Sequence, residues 1–149
     1  MVRAETSQVD ELAPEEALQA LTSNSASAMV DVRTKAEWAF VGLPDLSKAD
    51  RPLWPIEWIR FPDMAPNPNF MEELTGHARG QLPERLFFIC RSGSRSMAAA
   101  RHVAMHSQAQ NQPVHCTNVS EGFEGDLDEE RHRGTRNGWK AKGLPWRQS

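Results

Sequence analysis

One stretch constrains the fold more than any other. Residues Arg85 to Ile89 (RLFFI) read as a strand, apolar after its first residue, and Cys90 stands at its end. The chain then passes through Arg91-Ser92-Gly93-Ser94-Arg95-Ser96, all small or basic. From Met97 to Ser107 it reads as helix, with Met97, Ala100, Val103 and Ala104 on one face. A strand with no polar face has to be covered on both sides, which is the condition of a parallel sheet between helices. The neighbouring segments repeat the alternation. Pro14 to Ser23 is a helix, with proline at its first position and Glu15 and Glu16 in its first turn. Ala28 to Val32 is a buried strand ending near Asp31. Thr34 caps a short helix over Lys35 to Phe40, with Glu37 at the capping-box position. Gly42 to Pro55 reads as loop, Ile56 to Phe61 as strand, Asn69 to about His77 as a capped helix, and Pro113 to Thr117 as a last strand. The expected architecture is α/β, a parallel sheet with helices on both faces and right-handed crossovers.

A chain of 149 residues suits one domain with one sizeable core. Its two cysteines are too few for a disulfide scaffold. The net charge of −3 argues against nucleic acid as a partner, and no apolar run approaches the roughly 20 residues of a membrane span. Met1 to Leu12 has no apolar core and carries Glu5, Asp10 and Glu11, so it does not read as a secretory leader. The expectation is a soluble cytoplasmic protein with reduced thiols. All 20 acidic residues precede position 131, whereas Arg131, Arg133, Arg136, Lys140, Lys142 and Arg147 lie from 131 onward. The favoured reading of this layout is an acidic loop, Glu121 to Glu130, pairing with a basic tail over 131–149. A basic dock for an acidic protein or RNA is the alternative.

The loop after Cys90 carries the chemistry. Ligands of open α/β sheets bind beyond the carboxyl ends of the strands, and Cys90 stands there. Gly93 permits a tight turn, and successive backbone N–H groups of such a loop form an anion-binding nest. The start of the next helix adds its dipole, and Arg91 and Arg95 add full charges. All three favour a thiolate at Cys90, and so a nucleophile for an anionic or sulfur-bearing substrate.

At these residues the chain resembles the rhodanese family, over roughly positions 8–146. The pieces are P-E-E-A-L from Pro14, M-V-D-V-R-T from Met29, E-W at Glu37-Trp38, C-R-S-G-S-R-S from Cys90, N-V-S-E-G-F-E-G from Asn118 and G-W-K-A-K-G-L-P-W from Gly138. The resemblance implies a single domain with a five-stranded parallel sheet, no cofactor and no metal, and transfer of a sulfane sulfur through a cysteine persulfide. Cys90 would take sulfur from a small anionic donor such as thiosulfate. The loop Arg91 to Ser96 would hold the persulfide, with Arg91 and Arg95 binding the donor's anionic part. A thiol or cyanide would accept the sulfur. Many members carry G-H-I-P-G-A where this chain has Val41-Gly42-Leu43-Pro44-Asp45-Leu46, so one wall of the pocket departs from the common pattern.

Two other functions use a similar loop. A sulfur carrier or regulatory binding module would receive its sulfur only from a protein partner. A cysteine phosphatase or arsenate reductase would need C-x-x-x-x-x-R, but here Arg95 comes one position too early and Ser96 takes its place. Asp31 and Arg33, at the end of an earlier strand, are supporting candidates whose simplest role is to pair with each other. Cys116 reads as a core residue, with a resolving thiol as its alternative. His102 and His106 are four apart on a helix but lack a third metal ligand. Trp38 and Trp58 are expected in the core, and Trp139 and Trp146 are expected to anchor the tail.

Overall fold

A computed structural model describes residues 9–148; of the N-terminal stretch read as lacking a leader, residues 1–8 lie outside it. In chain order the elements are β1 (Asp10–Leu12), α1 (Pro14–Ser23), β2 (Ser27–Asp31), α2 (Lys35–Phe40), β3 (Leu43–Pro44), β4 (Leu53–Pro55), β5 (Ile59–Arg60), β6 (Ala65–Pro66), α3 (Phe70–His77), β7 (Arg85–Ile89), α4 (Ser94–Ala109), β8 (His115–Val119) and β9 (Trp146–Arg147). Five strands form one sheet in the order β1-β8-β7-β2-β4. All four pairings are parallel, as expected from the sequence.

The period of two along β7 decides which side chains meet which helices. Leu86, Phe88 and Cys90 face one way and pack with Val30, Phe70, Leu74, Ala100 and Val103, beneath α3 and α4. Phe87 and Ile89 face the other way and pack with Ala17, Leu21, Met29, Phe123 and Trp139. Both faces of the strand are therefore sealed, and Leu86 to Ile89 are fully buried. At about 25 cal/mol per Å² of apolar surface, each such side chain contributes roughly 1.5–3 kcal/mol.

Local signals place α1, α2 and β7 where the sequence predicts them. In α2 the Thr34 hydroxyl accepts from Glu37 N at 3.3 Å and Glu37 Oε1 accepts from Thr34 N at 3.1 Å, a complete capping box. Elsewhere the structure corrects the reading. Leu53–Pro55, expected as loop, is the edge strand β4, paired with Met29–Asp31. The strand expected over Ile56–Phe61 shrinks to Ile59–Arg60, in a small hairpin with Ala65–Pro66. The last strand lies two residues later than expected, at His115–Val119, and the unforeseen β1 pairs with it. Asn69 stands at the N-cap of α3 without a side-chain cap bond, and its own N–H donates to Asn67 Oδ1 at 3.0 Å.

The tail crosses the body. Trp139 is fully buried and its indole N–H donates to Pro145 O at 2.7 Å. Trp146–Arg147 pairs antiparallel with Leu43–Pro44. Lys142 pairs with Glu15 at 2.9 Å and with Glu121 at 3.1 Å. Trp38 and Trp58 are only half-buried, Trp58 against the core edge-on to Phe70. No helix among the described residues is long and apolar enough to cross a membrane.

Candidate functional site

The strand order creates the site. From β2 the chain leads on to β4, and from β7 to β8, in opposite directions along the sheet. A crevice therefore opens at the carboxyl ends of β2 and β7, where the sheet's connections diverge. Asp31 ends one of these strands and Cys90 follows the other.

Cys90 is 1% exposed. Its Sγ accepts from Gly93 N at 3.1 Å, and Ser96 Oγ lies 3.2 Å from it. Gly93 has φ +116°, which only glycine adopts readily, and this turn aims its N–H back at the sulfur. Helix α4 begins at Ser94, three residues earlier than expected, so its positive end sits directly on the loop.

Ser96 has one hydroxyl proton and three acceptors: Asn118 Oδ1 at 2.5 Å, Cys90 Sγ at 3.2 Å and Gly93 O at 3.2 Å. Asn118 Nδ2 donates to Glu11 Oε2 at 2.8 Å and to Gly93 O at 3.1 Å, which fixes the direction of its amide. With the proton on Asn118, Ser96 Oγ offers a lone pair to a Cys90 thiol. Rotated, the same hydroxyl donates to a thiolate or persulfide. Neither Asn118 nor Glu11 was foreseen as a site residue. Asn118 opens one of the quoted motifs, but a polar residue in a turn-rich stretch gives no sign of pointing at a sulfur.

The two loop arginines differ. Arg91 is exposed. Arg95 forms a bidentate pair with Glu37, at 2.8 and 2.9 Å. Burial raises the Glu37 pKa, but the Arg95 hydrogen bonds, the Thr34 N–H and the Arg95 charge outweigh it and hold the carboxyl at about 2. Glu37 thus ties α2 to α4 as well as capping its own helix. Arg91, by contrast, makes no ion pair among the described residues.

Asp31 and Arg33 pair with each other, as the simplest reading expects, and both are fully buried. Arg33 Nη2 donates to Asp31 Oδ2 at 2.6 Å and to Gly42 O at 2.8 Å, and its guanidinium lies 4.3 Å from the Phe123 ring. Phe123 N in turn donates to Cys90 O at 2.8 Å. The pair therefore shapes the ground under the cysteine loop without reaching into it. Gly122 sits so close that a Cβ there would lie 2.5 Å from Arg91 O and 2.6 Å from Cys90 O.

Cys116 belongs to the core. It pairs across to Leu86, four residues before Cys90 on the adjacent strand, and so lies about 13 Å back along the sheet. Bridged cysteines need Cα atoms about 4.4–6.8 Å apart. Burial pushes its thiol pKa up to about 12. Among the described residues no group of three or more metal-ligating side chains occurs.

No family model matches the chain. It is 31% identical to the uncharacterized protein RP600 of Rickettsia prowazekii, covering 93% of this chain and 97% of that one. A crystal structure of Rv0390 from M. tuberculosis matches at 41% identity and a TM-score of 0.79, over 95% of this chain and 98% of that one. At lower identity, the fold is shared with a polysulfide-sulfur transferase from Wolinella succinogenes (16% identical, TM-score 0.55, 98% of this chain and 83% of that one). It is shared too with a rhodanese-like domain protein from Staphylococcus aureus (17%, TM-score 0.50, 95% and 99%). With its five-stranded parallel sheet and a cysteine at the strand end, the chain has the rhodanese-like fold and belongs to one family with the Rickettsia protein RP600 and M. tuberculosis Rv0390.

Proposed function

We propose that this chain is a sulfurtransferase that carries sulfur as a persulfide on Cys90. The observation that carries the reading is the sulfur's position: Sγ lies just past the end of strand β7, receives Gly93 N–H at 3.1 Å and faces the start of α4. A group so placed is stabilised as an anion, which both a thiolate and a persulfide are. That a polysulfide-sulfur transferase has the same fold is consistent with it.

In the first half-reaction the Cys90 thiolate attacks the outer sulfur of thiosulfate. The donor's S–S bond breaks, its electron pair leaves with sulfite, and Cys90–S–S⁻ remains. Arg91 faces the departing anion, while the loop N–H groups and the hydroxyls of Ser92, Ser94 and Ser96 surround the persulfide. In the second, a thiolate or cyanide attacks the outer sulfur and the Cys90 thiolate leaves, giving ping-pong kinetics. Arg95, held by Glu37, braces the loop. A phosphatase would need a guanidinium at position 96, where Ser96 instead touches the sulfur.

Intact mass spectrometry after incubation with thiosulfate tests the reading. The expected result is a gain of one sulfur atom, reversed by cyanide and missing in Cys90→Ser. A wild-type protein that gains no sulfur from thiosulfate, mercaptopyruvate or small persulfides overturns the enzyme reading. Loading only from a sulfur-bearing protein donor replaces it with the sulfur carrier.

A further inference from the structure

We propose that the cleft beside the cysteine loop seats the body of an anionic organic persulfide, which makes that class, over inorganic thiosulfate, the substrate the site is shaped for. The proposal rests on the sulfurtransferase reading for its chemistry but on separate residues for its site. The cleft encloses about 760 Å³, within the roughly 300–1,000 Å³ of small-molecule sites. An ion of a few atoms leaves most of that volume unused.

Four segments distant in sequence converge on it: α2 and its end supply Ala36, Glu37 and Val41, and the other three each add an apolar or a cationic element. The turn after β5 supplies Phe61 and Met64, which are 63% and 45% exposed. The acidic-to-basic segment supplies Leu127, 42% exposed, together with Arg131 and Arg133. The cysteine loop supplies Arg91. Large apolar side chains left open to the cleft match a carbon chain, not a sulfur oxyanion. Arginines match carboxylates or phosphates bidentately. No ion pair of Arg91, Arg131 or Arg133 occurs among the described residues, although Arg133 Nη1 donates to Gly125 O at 2.7 Å. Two acids also line the cleft: Glu37 is neutralised by Arg95, which leaves Glu124 as the counter-charge. The balance is cationic, within a chain of net charge −3.

The step balances without a further reactant. The Cys90 thiolate attacks the outer sulfur of RS–SH, the donor S–S bond breaks with its electron pair going to RS⁻, and Cys90–S–SH forms. The released thiolate is the anion the arginines already hold.

Glutathione persulfide and S-methylglutathione are the probes. The wild type is expected to load sulfur from glutathione persulfide at least about tenfold faster than from thiosulfate. Arg131→Glu and Leu127→Ser are each expected to lower the ratio of those two rates by about tenfold. S-methylglutathione, which cannot give up sulfur, is expected to bind full-length Cys90→Ser protein by calorimetry, and about tenfold more weakly when Arg131→Glu is added. Thiosulfate loading with no S-methylglutathione binding and an unchanged rate ratio overturns the cleft proposal and leaves the sulfurtransferase standing. Binding without any sulfur loading does the reverse.

Discussion

Cys90 and Cys116 make a natural pair. Each is 1% exposed, they lie on adjacent strands of one sheet, and both pack into the same core cluster beneath α3 and α4. Their surroundings differ at the sulfur. Around Cys116 burial, with a smaller push from the Asp10 charge, drives the thiol pKa up to about 12. Cys90, equally buried, meets a backbone N–H at 3.1 Å and a serine hydroxyl at 3.2 Å. Burial alone does not decide which cysteine works; what the chain places around the sulfur does. The strand end makes the difference, because beyond it the backbone is free to turn its N–H groups inward.

The sharpest way to break this contrast is to remove each sulfur. Cys90→Ser is expected to lower sulfur transfer by roughly 10³-fold or more, because no step of the cycle survives without the thiolate. Cys116→Ala is expected to keep the transfer rate within about twofold. A thiosulfate:cyanide assay on both variants measures it, and comparable losses would remove the distinction.

The next largest effect tests what holds the loop against the strand end. Gly122 has φ +69°, and a Cβ on it would meet Arg91 O and Cys90 O at 2.5 and 2.6 Å. Gly122→Ala is expected to cost about 2–4 kcal/mol, from backbone strain plus overpacking against peptide groups that have nowhere to go. At Gly93, also at positive φ, a Cβ would meet nothing closer than 3.9 Å. Gly93→Ala therefore carries only the conformational cost, about 1–3 kcal/mol. Thermal melts of the two variants give the order. If Gly93→Ala proves the more damaging, the steric account of Gly122 fails.

How much of this was legible in the sequence follows from how local each signal is. Pro14, the Thr34–Glu37 box and the RLFFI run act within one turn or one strand, and they place α1, α2 and β7 correctly. β4 was hidden because Leu53-Trp54-Pro55 sits among prolines, which an edge strand with one neighbour tolerates. β1 was hidden because Asp10 and Glu11 suit an exposed edge and give no apolar pattern. Asn118 and the polar stretch Ser94 to Ser96 have poor propensity for the strand and helix that they join, so tertiary contacts override them. At the site, Cys90 and its loop were legible because the chemistry is contiguous. The Arg95–Glu37 pair spans 58 residues and the Asn118–Glu11 bond 107, and no periodicity reports such contacts.

The Arg95–Glu37 pair gives a smaller, pH-dependent effect. Glu37 is ionised in the folded protein down to about pH 2, whereas in the unfolded chain it takes up its proton near 4.5. Its contribution is therefore complete above about 4.5 and is lost as the pH falls toward 2. Glu37→Gln is expected to cost about 2 kcal/mol at neutral pH, since it leaves Arg95 half-buried without its counter-charge. The wild type's melting temperature is expected to fall more steeply than the variant's between pH 4.5 and 2. Parallel curves would mean that the pair adds nothing to the fold.

The smallest effect belongs to Cys116 and has the opposite sign in pH. Its thiol stays protonated in the folded state up to about 12, while in the unfolded chain it ionises near 9. The folded state then binds more protons than the unfolded one, so this group's contribution is complete below 9 and declines as the pH rises from there toward 12. The chain has no tyrosine, which removes one competing alkaline titration, and a Cys90→Ser background removes the other thiol. In that background Cys116→Ala is expected to cost about 1 kcal/mol at neutral pH, from the lost sulfur contacts. By pH 10 the gap between the two proteins is expected to have closed by about 1 kcal/mol, since one pH unit of linked titration is worth that much. Urea unfolding at pH 7 and pH 10 reads it directly. A gap that stays constant would mean that the folded sheet admits a thiolate at Cys116 as readily as water does, and the contrast with Cys90 would then rest on reactivity alone.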